Sequence, residues 1–109
     1  MPAAELEIAG GTPATTRRSV MLYMVVEHFK VNASEIYRRL SEKGRMMPAG
    51  LEYVSSWIDL DLKTCYQLMR TEDVSLFHSW TDNWQDLMNF EIVPVRTSAD
   101  TAQLFTDKR

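Results

Sequence analysis

Cysteine is almost missing from this chain. Cys65 is its single representative in 109 residues, so no disulfide can form within one molecule. A lone thiol fits a reducing compartment, and a cytoplasmic protein is expected. Excess positive charge is missing too: 12 Lys and Arg stand against 15 Asp and Glu, a net charge of −3. A nucleic-acid groove needs the opposite balance, so no nucleic-acid partner is expected. No apolar run approaches the roughly 20 residues of a membrane-spanning helix, and no membrane partner is expected either. There is no glycine-rich phosphate loop, no Cys/His spacing suited to a metal, and no Ser-His-Asp set with motif support. Neither a metal nor a cofactor is expected. Aromatics are absent from residues 1–19; all eleven lie between Tyr23 and Phe105.

That leading segment holds two glycines, two prolines and four Ser or Thr, so it has little to bury. It opens with Glu5 and Glu7 and has no continuous apolar stretch, unlike a secretory signal. It reads as a flexible N-terminal leader or arm, either dispensable or ordered against a partner subunit. Residues 20–109 are short enough for one domain, at roughly 100–200 residues per domain. The 45% hydrophobic content is ordinary for a globular protein.

Within the domain, Val20 to Phe29 (VMLYMVVEHF) is β-branched and aromatic, apolar on both alternating sides as far as Val26. A strand buried on both faces has that pattern. Asn32 followed by Glu35 is a capping-box-like pair, with Val31 and Ile36 as its staple. The helix it opens carries Ile36, Tyr37 and Leu40 inward and stops at Gly44. Leu51 to Asp59 is a second strand, in which Tyr53, Ser55 and Trp57 alternate with Val54, Ser56 and Ile58. A turn at Asp59-Leu60-Asp61 leads to a third strand over Lys63 to Arg70. Asp73 is the expected N-cap of a second helix with Leu76, Phe77, Trp80 and Trp84 as one stripe. The last strand, Met88 to Arg96, contains Pro94, which belongs at a sheet edge. Ser98 opens a short terminal helix ending near Phe105.

The order β-α-β-β-α-β closes into an α+β, ferredoxin-like sandwich, a four-stranded antiparallel sheet with two helices on one face. Two helices cover one side of such a sheet, yet the strands are apolar on both. The uncovered side would exceed the exposed apolar patch a soluble monomer usually carries. A homodimer packed through the sheet face is therefore expected.

The segments MLYMVVEHFK, YRRLSEKGRMMPAGLEYVSSWID, CYQLM and FEIVPV resemble a bacterial family of short proteins known as a domain of unknown function. The resemblance runs from about Met21 to Val95, and GRMMP…GL.YV.SW is its most distinctive part. That family is similar to the dimeric α+β-barrel superfamily. The superfamily includes cofactor-free monooxygenases, polyketide cyclases, muconolactone-type isomerases, haem-degrading enzymes and ligand-sensing domains. The resemblance implies a ligand site between the sheet and the helices of one subunit. Fold alone does not choose among these functions. The Phe77…Trp80 pair also resembles the second helix of the haem-degrading and monooxygenase branches, but His78 lies on another side of that helix and offers no axial ligand.

The residues suggest where chemistry would sit. Glu27 ends an apolar strand, where a carboxylate loses hydration and its pKa rises towards neutrality, suiting a general base or acid; otherwise it is a strand-end group facing solvent or paired with Arg45. Arg45 follows Gly44 in an apolar loop, where it either binds a carboxylate, phosphate or enolate oxygen or complements the helix dipole. Tyr37 is expected on the buried side of the first helix with its hydroxyl seeking a partner. Tyr53 and Trp57 share one face of the second strand, lining a cavity or the dimer core. Gln67 orients a bound carbonyl or satisfies a buried backbone group. Trp80 and Trp84 pack on the sheet or wall a planar ligand. His28 faces away from Glu27, and Cys65 has nothing to lower its pKa and is no nucleophile.

Together these residues support a cofactor-independent cyclase, isomerase or monooxygenase acting on an aromatic or polyketide-like small molecule. Glu27 would transfer the proton and Arg45 would stabilise negative charge, with Tyr37, Tyr53, Trp57, Gln67, Trp80 and Trp84 binding substrate. The alternatives are a ligand-binding or accessory domain without catalysis, and a dimerising structural module.

Overall fold

The computed structural model describes residues 20–106, and the expected leader lies outside the described residues. Seven elements follow one another: β1 (Met21–Phe29), α1 (Ala33–Lys43), β2 (Leu51–Ile58), β3 (Thr64–Thr71), α2 (Leu76–Thr81), β4 (Met88–Val95) and α3 (Ser98–Thr106). The strands form one sheet in the order β2-β3-β1-β4, every neighbouring pair antiparallel. This is the ferredoxin-like α+β arrangement. The two-sided apolar strand β1 takes a central place, as its composition requires. Pro94, with no N–H to donate, sits on the edge strand β4, which pairs only with β1.

Alternation assigns the faces. Tyr23, Val25 and Glu27 of β1 point towards the helices and are buried, as are Cys65, Gln67, Met69 and Thr71 of β3. The core forms where these meet Ile36 of α1 and Phe77 and Trp80 of α2. Phe77 is the pivot, its ring edge-on to Tyr23 at 5.1 Å and to Trp80 at 6.2 Å between centroids. Such aromatic pairs add about 0.5–1.5 kcal/mol beyond the area they bury.

Four local expectations change. Asn32 holds the N-cap position of α1 in an extended conformation, but its side chain makes no capping bond. Its carbonyl accepts the Glu35 N–H at 2.9 Å instead, so the capping box does not form. Asp73 acts two residues ahead of the cap of α2: its Oδ1 accepts from Ser75 N (3.0 Å) and Ser75 Oγ (2.6 Å), fixing the turn that feeds the helix. The helix itself is short. After Thr81 the bonds tighten, Asn83 N to Trp80 O and Trp84 N to Thr81 O, so Trp84 lies in a turn and not on α2. Asp82 and Asn83, poor helix formers, occupy that change.

The fourth change matters most for the site. The β2–β3 register skips a residue between Tyr53 and Ser55, a β-bulge at Val54. The bulge inverts the alternation after it. Tyr53 pairs with Met69 on the helix side, whereas Trp57 pairs with Tyr66 on the open side. The two aromatics expected on one face of β2 lie on opposite faces.

Candidate functional site

One cavity opens between the sheet and the helices, near the end of β1. It is lined by Glu27 and Phe29 of β1, Ile36, Tyr37 and Leu40 of α1, Arg45, Ser56 of β2, Cys65 and Gln67 of β3, Trp80, Trp84 and Met88. Its volume is about 60 Å³. That is room for a few water molecules or a molecule of a few heavy atoms, well below the roughly 300–1,000 Å³ of drug-sized ligand pockets.

Glu27 is the buried acid of this cavity, only 7% exposed. It stands directly across from Cys65 in the β1–β3 ladder and across from Phe90 in the β1–β4 ladder. Burial pushes its carboxyl up to about 7, against smaller opposing effects of a hydrogen bond with Cys65 and the positive charge of Arg45. Burial and the neighbouring Glu27 push the Cys65 thiol up to about 12. The thiol therefore stays protonated and donates to the carboxylate; it is no nucleophile. No ion pair joins Glu27 to Arg45 among the described residues.

Arg45 crosses the cavity from the loop between α1 and β2. Its guanidinium carbon lies 3.7 Å from the Tyr53 ring centroid, a cation–π contact, and its Nη1 donates to Gln67 Oε1 at 3.3 Å. Gln67 is buried, and its Nε2 donates to the Met69 sulfur at 3.3 Å. Among the described residues Gln67 bonds side chains and no backbone group, so the expected backbone role is not the one it takes. Tyr53 Oη is bonded to Ser56 Oγ at 2.8 Å, so the bulge brings Ser56 into the cavity lining and Tyr53 beneath the guanidinium.

The loop is held by an arrangement that sequence reasoning missed. The indole Nε1 of Trp80 and that of Trp84 both donate to the Arg45 carbonyl, each at 3.1 Å. Asn83 Nδ2 adds a bond to the Met46 carbonyl at 3.2 Å. The indoles thus line the cavity with their rings and spend their N–H groups on the loop. The turn after α2 makes this possible, because tightening the chain brings Trp84 beside Trp80. Met46 adopts a positive φ of 57° in the held loop, and Gly50 ends it at φ 99°.

Six of the eight expected site residues line this one cavity: Glu27, Tyr37, Arg45, Gln67, Trp80 and Trp84. Tyr53 supports Arg45 from below, and Trp57 is excluded by the bulge, 56% exposed on the far face. Tyr37 is corrected in position: it is 48% exposed at the cavity edge and not on the buried side of α1. His28 faces away, bonding Glu91 at 2.9 Å. Among the described residues no cluster of three or more His, Cys, Asp or Glu is placed to hold a metal ion, and no helix is long and apolar enough to cross a membrane.

No curated protein and no solved structure matches this chain. A family model does match, over residues 21–109, so that it begins where β1 begins and takes in every element that builds the cavity. The chain belongs to the family described as Domain of unknown function (DUF3303).

Proposed function

We propose that this protein is a cofactor-independent enzyme that moves a proton on a small, oxygen-bearing molecule held between the sheet and the helices. The observation that carries the proposal is Glu27, a carboxyl buried in the cavity that also holds Arg45 and Gln67, and poised at about 7. A base of that pKa is half ionised at neutral pH, the condition under which general acid–base transfer is most effective. Glu27 takes a proton from a carbon beside a carbonyl, the electron pair moves onto the carbonyl oxygen, and the Arg45 guanidinium faces the resulting negative charge. Cyclisation, isomerisation and oxygenation of an aromatic or polyketide-like substrate all begin from such a carbanion. A ring-sized substrate requires the Arg45 side chain to swing off Tyr53, because the closed volume is about 60 Å³.

Incubation with a panel of small carbonyl compounds in deuterated water tests the proposal. Exchange of the acidic C–H should depend on the protein and disappear in Glu27→Gln, while binding is kept. Exchange unchanged in Glu27→Gln removes Glu27 from the chemistry. The small closed volume favours a second reading, a ligand-binding domain without catalysis, and the same experiment separates it: saturable binding with no exchange for any bound compound. A second copy of the chain, packed against the open face of the sheet, completes the proposed assembly.

A further inference from the structure

The charge and hydrogen-bonding capacity of the cavity narrow its ligand. Arg45 carries five N–H donors in a planar fork, and one long bond to Gln67 at 3.3 Å is its only side-chain hydrogen bond among the described residues. Among the described residues no carboxylate lies within ion-pair distance of it. Its charge rests on the Tyr53 ring, a contact much weaker than a desolvated fork-to-carboxylate pair. Next to it, Gln67 is 3% exposed, and among the described residues its amide N–H₂ has only a thioether sulfur as acceptor. Sulfur is a weak acceptor, so this buried donor is poorly satisfied. Two adjacent donor groups in an apolar cavity therefore lack a good oxygen acceptor.

The charge count sets how negative that acceptor is. The cavity presents one fixed positive charge, that of Arg45. Of the other ionisable groups lining it, Cys65 and Tyr37 are neutral at pH 7, since burial raises both. Glu27 supplies the only negative charge available, and only when ionised. A singly charged anion is neutralised by Arg45. A dianion leaves one charge unmatched where water is scarce, and stands against Glu27 besides. Planarity agrees with this: a flat carboxylate can enter edge-on beside the guanidinium in a space of about 60 Å³, within reach of the Gln67 amide.

We propose that the ligand of this cavity carries a single carboxylate, bound by the Arg45 guanidinium with the Gln67 amide as second donor. The inference rests on the functional reading above only in placing the ligand in this cavity. On binding, Arg45 exchanges its long bond to Gln67 for the carboxylate, while its backbone stays pinned by the two indoles. The fork turns and the loop does not.

Titration of the whole chain with acetate, propionate and benzoate, each against its neutral amide and against sulfate, a dianion at this pH, tests this at pH 6 and constant ionic strength. The readout is the NMR signal of the Trp80 and Trp84 indole N–H groups, which border the site. At least one carboxylate should bind tenfold or more tightly than its amide and than sulfate. Arg45→Met should abolish that preference, and Arg45→Lys should keep part of it, having the charge without the fork; a thermal melt of each variant checks that it is folded. Amides binding as tightly as acids, sulfate binding as tightly as either, or a preference that survives Arg45→Met would each overturn the proposal. So would a wild-type protein that no carboxylate in the series saturates. Failure of proton transfer looks different: carboxylates bind through Arg45, yet no C–H exchanges with deuterated water.

Discussion

At the scale of single residues, Glu27 carries the clearest physical consequence. Its carboxyl is held at about 7 in the folded protein against an ordinary 4.5, because burial disfavours the charge. The folded state therefore binds more protons than the unfolded state between those values, and stability falls as pH rises through that window. The full contribution is present below 4.5 and is lost by the time pH passes 7. A shift of this size corresponds to about 3 kcal/mol. The groups facing Glu27 do not titrate in that interval: the Cys65 thiol opens only near 12, and the Tyr37 phenol is raised above its ordinary value. Glu27→Gln keeps the shape and removes the titration. Its melting temperature should exceed that of the wild type at pH 8, and the difference should shrink or reverse at pH 5. Parallel melting curves for the two proteins from pH 5 to 8 would show that Glu27 is not held near neutrality. The position of Glu27 was legible in the sequence, since a carboxylate at the end of an apolar strand is conspicuous. Its partnership with Cys65 was not, because that depends on β1 and β3 pairing across about forty residues of chain at a particular register.

At the scale of elements, the loop from Gly44 to Gly50 depends on a segment that is far away in sequence. Two indoles share one carbonyl of Arg45, and Asn83 holds the next residue. Loss of one indole N–H leaves the carbonyl satisfied by the other, so the hydrogen-bond cost of a single substitution should be small, about 1 kcal/mol or less. Loss of both leaves a partly buried acceptor unpaired, at about 1–3 kcal/mol. The Trp80→Phe and Trp84→Phe substitutions should therefore be non-additive, the double variant losing more stability than the two singles combined. Amide exchange at residues 46–50 should accelerate chiefly in the double variant; simple additivity in both measurements would show that the shared acceptor is not what holds the loop. Sequence reasoning saw Trp80 and Trp84 as one stripe of one helix. The stripe is real as far as Trp80, but Asp82 and Asn83 end the helix early and tighten the chain. The bulge at Val54 escaped notice for a similar reason: nothing in Tyr53-Val54-Ser55-Ser56 departs from ordinary strand composition, and only pairing with β3 reveals the extra residue. One inserted position moved Trp57 out of the candidate site and brought Ser56 into its lining.

At the scale of the whole molecule, the ferredoxin-like order of strands was legible because each element carries its own pattern: the two-sided β1, Pro94 at an edge, and glycine at the end of α1. What covers the second face of the sheet is set by no local pattern. Leu22, Met24 and Val26 of β1 and Leu68 of β3 are only partly exposed there, while Trp57, Tyr66 and Val93 are open to solvent. Polar and charged residues of the same face bond one another in the plane of the sheet. Arg70 Nε donates to Glu52 at 2.9 Å, and His28 lies 2.9 Å from Glu91. A two-fold contact places each patch against its own copy, so a patch of one sign would repel itself, whereas one whose charges are already paired in place does not. That balance suits a second copy of this chain better than a strongly charged partner. Trp57, displaced onto this face by the bulge and paired across the strands with Tyr66, is the large aromatic such an interface would bury. Light scattering should accordingly report twice the chain mass at micromolar concentration. Trp57→Glu, which puts a like charge on each side of the two-fold contact, should shift the protein towards the monomer by tenfold or more in dissociation constant, about 1.4 kcal/mol or greater. The substitution lies outside the cavity, so the indole N–H signals of Trp80 and Trp84 should keep their positions. A monomeric wild type at that concentration would leave this face to some other partner, and a Trp57→Glu variant that remains fully dimeric would place the contact elsewhere on the molecule.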